Sequence, residues 1–337
     1  MKRLTVTAAC KTLLVLPKLS CFSLRSSLFI LIFVLLTQTL SAQDSDVKMS
    51  SELLLQLSTL PEAKLVLTQS FVFPVLQGGN PLTEGNNLKL NLAAEVSPIS
   101  LNGTFKAELT PIAFLVFTLG GRLGAGWPLN LFGSDIYGTG FNTIGENGKE
   151  EYDGSGFDAL LYKAYAGGTF QFDLAAVVPG DWNHVVMQTY HEINIHGNTR
   201  AKNGEAWYFE ADEGENRNGW NYYGNFVLGY QMPIFLNMAA FMGEMELYLY
   251  DGVDSESGKN RADWGDDLIR WTVSNILNFQ ITERFSIALI TQFRSRRNFT
   301  NFNYGDDDLH YQKRELDASN PLRLEFYRVA AMVSYKF

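Results

Sequence analysis

The stretch from Ile269 to Thr282, IRWTVSNILNFQIT, decides the fold. Ile269, Trp271, Val273, Leu277, Phe279 and Ile281 fall on one side of a two-residue alternation, and Arg270, Thr272, Ser274, Asn278 and Gln280 on the other. Successive side chains of a β-strand point to opposite faces, so this segment is a strand with one face for lipid or core and one for water.

The same period recurs along the chain. Phe285, Ile287, Leu289 and Phe293 oppose Ser286, Ala288, Gln292 and Arg294, and the pattern continues into Arg296. Ala239, Phe241, Met245, Leu247 and Leu249 alternate with Met242, Glu244, Glu246, Tyr248 and Tyr250. Leu115, Phe117, Leu119, Leu123 and Trp127 alternate with Thr118, Gly120, Arg122 and Gly124. At the end of the chain, Tyr327, Val329, Ala331, Val333, Tyr335 and Phe337 oppose Arg328, Ala330, Ser334 and Lys336. No helical stripe persists for more than a few turns, and no segment after the first 42 residues has the roughly 20 apolar residues of a membrane helix.

Connections between these segments alternate in length. Thr300 to Leu322, Gly252 to Leu268, Thr199 to Trp220 and Pro128 to Gly156 are long and polar. The short ones lie around Glu283-Arg284, Pro233 to Leu236, Pro179 to Trp182 and Pro111-Ile112. A soluble sandwich has no reason to keep this rhythm, whereas a membrane barrel has short periplasmic turns and long extracellular loops. Lys64 to Val75, Asn87 to Ser97 and Thr104 to Leu109 read as further strands, with Asn102-Gly103 as a tight turn. Glu52 to Leu60 reads as a first strand or an amphipathic helical stretch. With both ends on the periplasmic side the strand number is even, so 10 to 12 are expected. Twelve treats Asn87 to Ile112 as two strands.

The first 42 residues read as an address. Lys2, Arg3, Lys11, Lys18 and Arg25 carry no accompanying Asp or Glu, the apolar run Leu28 to Thr37 follows, and Leu40-Ser41-Ala42 precedes an expected cut before Gln43. The expected organisation is a cleaved signal peptide at 1–42, an N-terminal segment at 43–62 and a barrel at 63–337. With the five leader cations set aside, 22 basic residues face 36 acidic ones, which argues against a nucleic-acid partner. Cys10 and Cys21 both lie in the leader, so the remainder has no thiol chemistry and no Cys-based metal site.

Taken together, the leader, the alternating strands, the loop rhythm and the ending Tyr335-Lys336-Phe337 resemble bacterial outer-membrane β-barrel proteins, including porin-like small-solute channels. The resemblance implies an antiparallel transmembrane β-barrel in the outer membrane, in contact with outer-membrane lipid. It also implies that Tyr335 and Phe337 form the signal read by the barrel-assembly machinery.

Catalytic chemistry is weakly represented. Of His184, His191, His196 and His310, His191 and His196 face opposite sides of one strand, and His184 and His196 share a face but stand about 40 Å apart at strand rise, so no metal and no cofactor are expected. His196 with Glu192 and Asn194, set against Asp251 or Asp254, is the nearest approach to a barrel hydrolase, and a hydrogen-bonded lumen histidine explains it as well. Acidic loops at Glu210 to Glu215, Asp263 to Asp267 and Asp306 to Asp308 lack calcium-loop spacing. The informative set is the polar strand face. Arg122, Arg270, Arg294, Arg296 and Arg328 are expected to line one arc of a lumen, with Glu192, Glu244 and Glu246 on the facing arc. Such a field favours small hydrophilic solutes or ions. Gly120, Gly124, Gly167 and Gly229 are expected to leave the lumen open. The expected function is therefore passive diffusion without catalysis. The alternative is a closed barrel displaying loops for adhesion, with Trp207, Tyr208, Phe209 and Trp220 as contact residues.

Overall fold

The computed structural model describes residues 47–60, 62–131, 134–144, 150–154, 156–202, 205–210, 216–249, 265–300 and 316–337. The leader with its cut before Gln43, Asp251, Asp254, Asp263, Asp306 to Asp308 and His310 lie outside them.

In chain order the strands are β1 (Lys48–Ser58), β2 (Ala63–Pro74), β3 (Asn87–Val96), β4 (Ser100–Ile112), β5 (Leu115–Gly126), β6 (Pro128–Leu131), β7 (Ser134–Tyr137), β8 (Thr139–Ile144) and β9 (Glu150–Gly154). They continue with β10 (Leu161–Asp173), β11 (Val185–Asn198), β12 (Trp207–Phe209), β13 (Gly219–Gln231), β14 (Leu236–Tyr248), β15 (Arg270–Gln280), β16 (Phe285–Arg297) and β17 (Leu322–Lys336). Among the described residues, twelve of these close an antiparallel barrel in the order β1-β17-β16-β15-β14-β13-β11-β10-β5-β4-β3-β2. The remaining five form two small sheets, β12-β8-β9 and β6-β7, in the long connections. Closure is what makes the fold viable in a bilayer, because it leaves no unpaired strand edge facing lipid.

The expected alternation is realised along the wall. Phe117, Leu119, Leu123, Phe226, Leu228, Phe241, Val273, Leu289 and Phe293 are exposed large apolar side chains on the outer surface. A soluble protein rarely shows a contiguous apolar surface of this kind, and in a membrane it is the lipid-facing band. Glu52 to Leu60, left open between strand and helix, supplies β1. The segment 43–62, which the sequence leaves open as a first strand, thus contributes Lys48–Ser58 to the barrel wall. β1 pairs with β17 from Glu52↔Lys336 to Ser58↔Ala330 and closes the seam.

Two local expectations are corrected. Asn102-Gly103 is not a turn but part of β4, where Asn102 is buried and its amide donates to Glu95 Oε1 at 2.8 Å. The turn falls at 97–99, closed by Ser97 N donating to Ser100 O at 3.0 Å and by a 2.8 Å contact between the two serine hydroxyls. Tyr327 does not share the lipid face with Val329 and Tyr335. The β16–β17 register shifts between Gln292↔Arg328 and Phe293↔Phe326, so Tyr327 is the extra residue of a bulge. A bulge re-aims one side chain. Here the Tyr327 ring turns to the polar face, 3.9 Å from the Arg294 guanidinium carbon and 4.8 Å from that of Arg328.

Candidate functional site

The strand face opposite the apolar band carries the charged side chains, together with apolar ones such as Met238, Met242, Ile276, Ile290 and Met332. On β14 to β16, register sets Glu246 beside Arg270 and Glu244 beside Thr272, with Thr272 beside Arg294. Arg270 pairs with Glu246 at 2.8 Å. Arg294, Arg296 and Arg323 gather around Glu325 at 3.3, 3.7 and 3.6 Å. Arg328 is paired with Glu62, and its Nε donates to Gln292 Oε1 at 2.6 Å. On the other side of the barrel Arg122 meets Glu95 at 3.3 Å, Lys106 meets Glu108 at 2.9 Å and Lys163 meets Glu192 at 2.7 Å.

All eight residues expected to line a pore, Arg122, Arg270, Arg294, Arg296, Arg328, Glu192, Glu244 and Glu246, therefore lie on the polar face. Opposite charges also pair between neighbouring strands, as Arg270 does with Glu246. Opposite charges one strand apart are about 5 Å from one another, inside the screening length, whereas charges across a hydrated lumen are shielded. Glu325, Glu62, Glu95, Lys106, Glu108 and Lys163 were missed. Lys163 and Glu95 were legible in principle, since each sits in an alternating segment. Glu325 was masked by the bulge two residues on.

The inward glycines are seats and not vacancies. A β-carbon at Gly120 would lie 2.4 Å from the Tyr165 ring, and one at Gly167 2.7 Å from the Tyr190 hydroxyl. At Gly124 the Asn102 side chain, and at Gly229 the Val186 methyl, occupy the space in the same way.

The long connections fold in at the outer end. β12 pairs with β8, and Phe141, Leu161 and Trp207 form a small buried cluster there. Thr139 Oγ1 donates to Tyr208 O at 2.8 Å. From this platform Glu210 reaches the wall, bonding Lys64 and Ser100, while Phe209 lies 5.0 Å from the Arg122 guanidinium carbon. Arg217, Asp266 and Arg297, all buried, tie the connections after β11 and β14 to the end of β16. Trp207 and Tyr208 are therefore buried and do not offer a contact surface, and Trp220 belongs to the lipid face of β13.

No family model matches the chain, and no curated protein matches it. Among solved structures, a KdgM porin aligns with a TM-score of 0.36 and 11% identity over 86% of this chain and 99% of that one. The β domain of the Bordetella autotransporter Brka gives 0.35 and 10% over 86% and 99%. OmpT, an outer membrane protein of Vibrio cholerae, gives 0.33 and 6% over 88% and 99%.

The histidines are dispersed. His184 Nδ1 lies 2.7 Å from Asp173 Oδ2 at the periplasmic rim, and His191 Nδ1 lies 2.6 Å from the Tyr222 hydroxyl on the outer surface. His196 faces inward, its Nε2 3.1 Å from Arg217 O and its ring edge-on to Trp207. It is a packing and loop-seating residue in this geometry. At the C-terminus Tyr335 and Phe337 stack at 6.2 Å on the outer surface, and Phe337 exchanges both backbone hydrogen bonds with Ser51 across the seam.

Proposed function

We propose that the barrel is a passive conduit for small hydrophilic solutes or ions, with the wall charges tuning what passes. One observation carries this reading: some of the inward charged side chains remain wet, although Glu192 and Glu62 are buried in their pairs. Lys106, Lys163 and Arg296 keep 39%, 34% and 32% of their side-chain surface exposed although they point into the barrel. A plugged interior would have to bury such groups, at several kcal/mol per ion. A hydrated wall leaves them in water, where each pair contributes about 0–1 kcal/mol. They are therefore poor candidates for a purely stabilising role. In this reading Arg122, Arg270, Arg294, Arg296, Arg328, Glu192, Glu244 and Glu246 set selectivity, and no covalent chemistry is involved.

In this reading the inturned Glu210 segment narrows the outer mouth. Its pairs with Lys64 and Ser100 hold the platform of β8 and β12 against β2 and β4. Liposome swelling tests the reading. Vesicles carrying the purified barrel should swell in arabinose faster than in stachyose, and protein-free vesicles should not swell at a comparable rate. Equal, background-level rates in both sugars would contradict it.

A further inference from the structure

Three tyrosines, Tyr165, Tyr190 and Tyr223, stand together on the inward face of β10, β11 and β13. Tyr165 lies against Gly120 of β5, and Tyr190 against Gly167 of β10, each ring occupying the place where a side chain would start. Both are thereby packed against the wall and partly exposed. Tyr223 continues the strip, its ring centroid 6.1 Å from that of Tyr190 and tilted by 58°.

Polar groups border the strip at fixed positions. Tyr190 donates to Glu192 Oε2 at 2.6 Å and Tyr223 to Glu244 Oε1 at 2.7 Å. Asn194 donates to the other oxygen of Glu192 at 3.0 Å, and Asn225 to the Tyr223 hydroxyl at 3.3 Å. The Lys163 ammonium, paired with Glu192, sits 5.4 Å from the Tyr165 centroid and 6.0 Å from that of Tyr223. Flat aromatic faces edged by carboxylates and amides match one ligand chemistry. The C–H face of a pyranose stacks on an aromatic ring, and its equatorial hydroxyls need planar acceptors and donors at the ring edge.

We propose that this strip is a binding site for neutral oligosaccharides, with Tyr165, Tyr190 and Tyr223 as successive stacking platforms, Glu244 and Asn225 as hydroxyl partners, and the buried Glu192 holding Tyr190 in place. The strip favours a neutral chain over an anionic one: Lys163 is already paired with Glu192, and Glu244, hydrogen-bonded by a neutral phenol, keeps its negative charge beside the rings. The site rests on the conduit reading for its access route, and it deepens that reading by naming a substrate class.

Current block in planar bilayers tests it. Maltohexaose and cellohexaose are added to the purified full chain, with a polyethylene glycol of the same hydrodynamic radius as the comparison. Either sugar should produce a saturable block that the polymer does not. Replacing all three residues, Tyr165→Ala with Tyr190→Ala and Tyr223→Ala, should raise the half-blocking concentration by roughly tenfold or more, since each lost stacking contact is worth a factor of several. The corresponding Tyr→Phe set should retain most of the block. A second measurement needs no variant. Nitration of wild-type protein by tetranitromethane, read by mass spectrometry, should be slowed by maltohexaose at Tyr165, Tyr190 and Tyr223 and not at Tyr222 or Tyr230. Block of equal depth by sugar and polymer, or unchanged nitration at all three tyrosines, would overturn the site. Absence of any current would count against the conduit, and the nitration pattern would still decide the site.

Discussion

Phe241 and Met242 are the central residues of β14 and point to opposite sides of the wall, which makes them a sharp test of the barrel's inside and outside. Phe241 is 61% exposed on the outer surface, whereas Met242 stands between Val227 and Ser274 on the polar face. Phe241→Arg would put a guanidinium at the middle of the lipid-facing band, where a cation costs about 2–4 kcal/mol, a factor of roughly 30 to 900 in the folding equilibrium. Met242→Arg would put the same group into the hydrated interior, two residues from Glu244, with an expected change of about 1 kcal/mol or less. Urea-dependent folding into lipid vesicles, followed by tryptophan fluorescence and heat-modifiable migration, measures both. Equal destabilisation by the two substitutions, or a larger effect at Met242, would refute the assignment of faces.

Three other outcomes are expected. Deleting Phe337 removes the backbone pair with Ser51 and one of the two stacked rings, so heat-modifiable barrel in outer-membrane fractions should fall while export continues; unchanged assembly would leave Phe337 an ordinary strand end. Arg294→Glu with Arg296→Glu should shift the reversal potential towards cations, and Glu244→Gln with Glu246→Gln towards anions. Both shifts should shrink as the screening length falls from about 10 Å at 0.1 M salt to about 3 Å at 1 M; unaltered potentials in conducting variants would take these residues off the conducting path. Glu210→Ala should release the inturned segment from Lys64 and Ser100 and raise single-channel conductance; a lower or identical conductance would mean that the segment does not narrow the passage.

The strand faces were legible because lipid on one side and water on the other impose the same two-residue period on each spanning segment. The charged halves of β14, β15 and β16 follow it, so Glu244, Glu246, Arg270, Arg294 and Arg296 could be placed on the polar face from the chain alone. Elsewhere β14 has a register shift at Asn237, and Asn275-Ile276 and Ile290-Thr291 invert the polarity. Tyr327 was not legible, since one extra residue in a strand leaves no compositional mark and only the partner strand reveals it. Asn102-Gly103 has the residues of a tight turn, but the Asn102 amide finds Glu95 on the neighbouring strand, and Ser97 and Ser100 supply a competing turn. Pairing partners were likewise hidden: Glu325 for Arg294, Glu62 for Arg328 and Lys163 for Glu192 depend on register between strands. The same holds for the inward glycines, whose occupants Tyr165 and Tyr190 come from adjacent strands. Burial of Trp207 and Tyr208 depended on β12 finding β8, a pairing of segments more than 60 residues apart in the chain.

Planar-bilayer recording of the purified, heat-modifiable full-length protein is the most direct measurement of whether the interior is an aqueous path. Discrete, roughly ohmic current steps in potassium chloride are expected, with conductance rising as salt rises. A correctly folded barrel that inserts and yet passes no current would contradict the conduit and make the paired charges of the wall a plug.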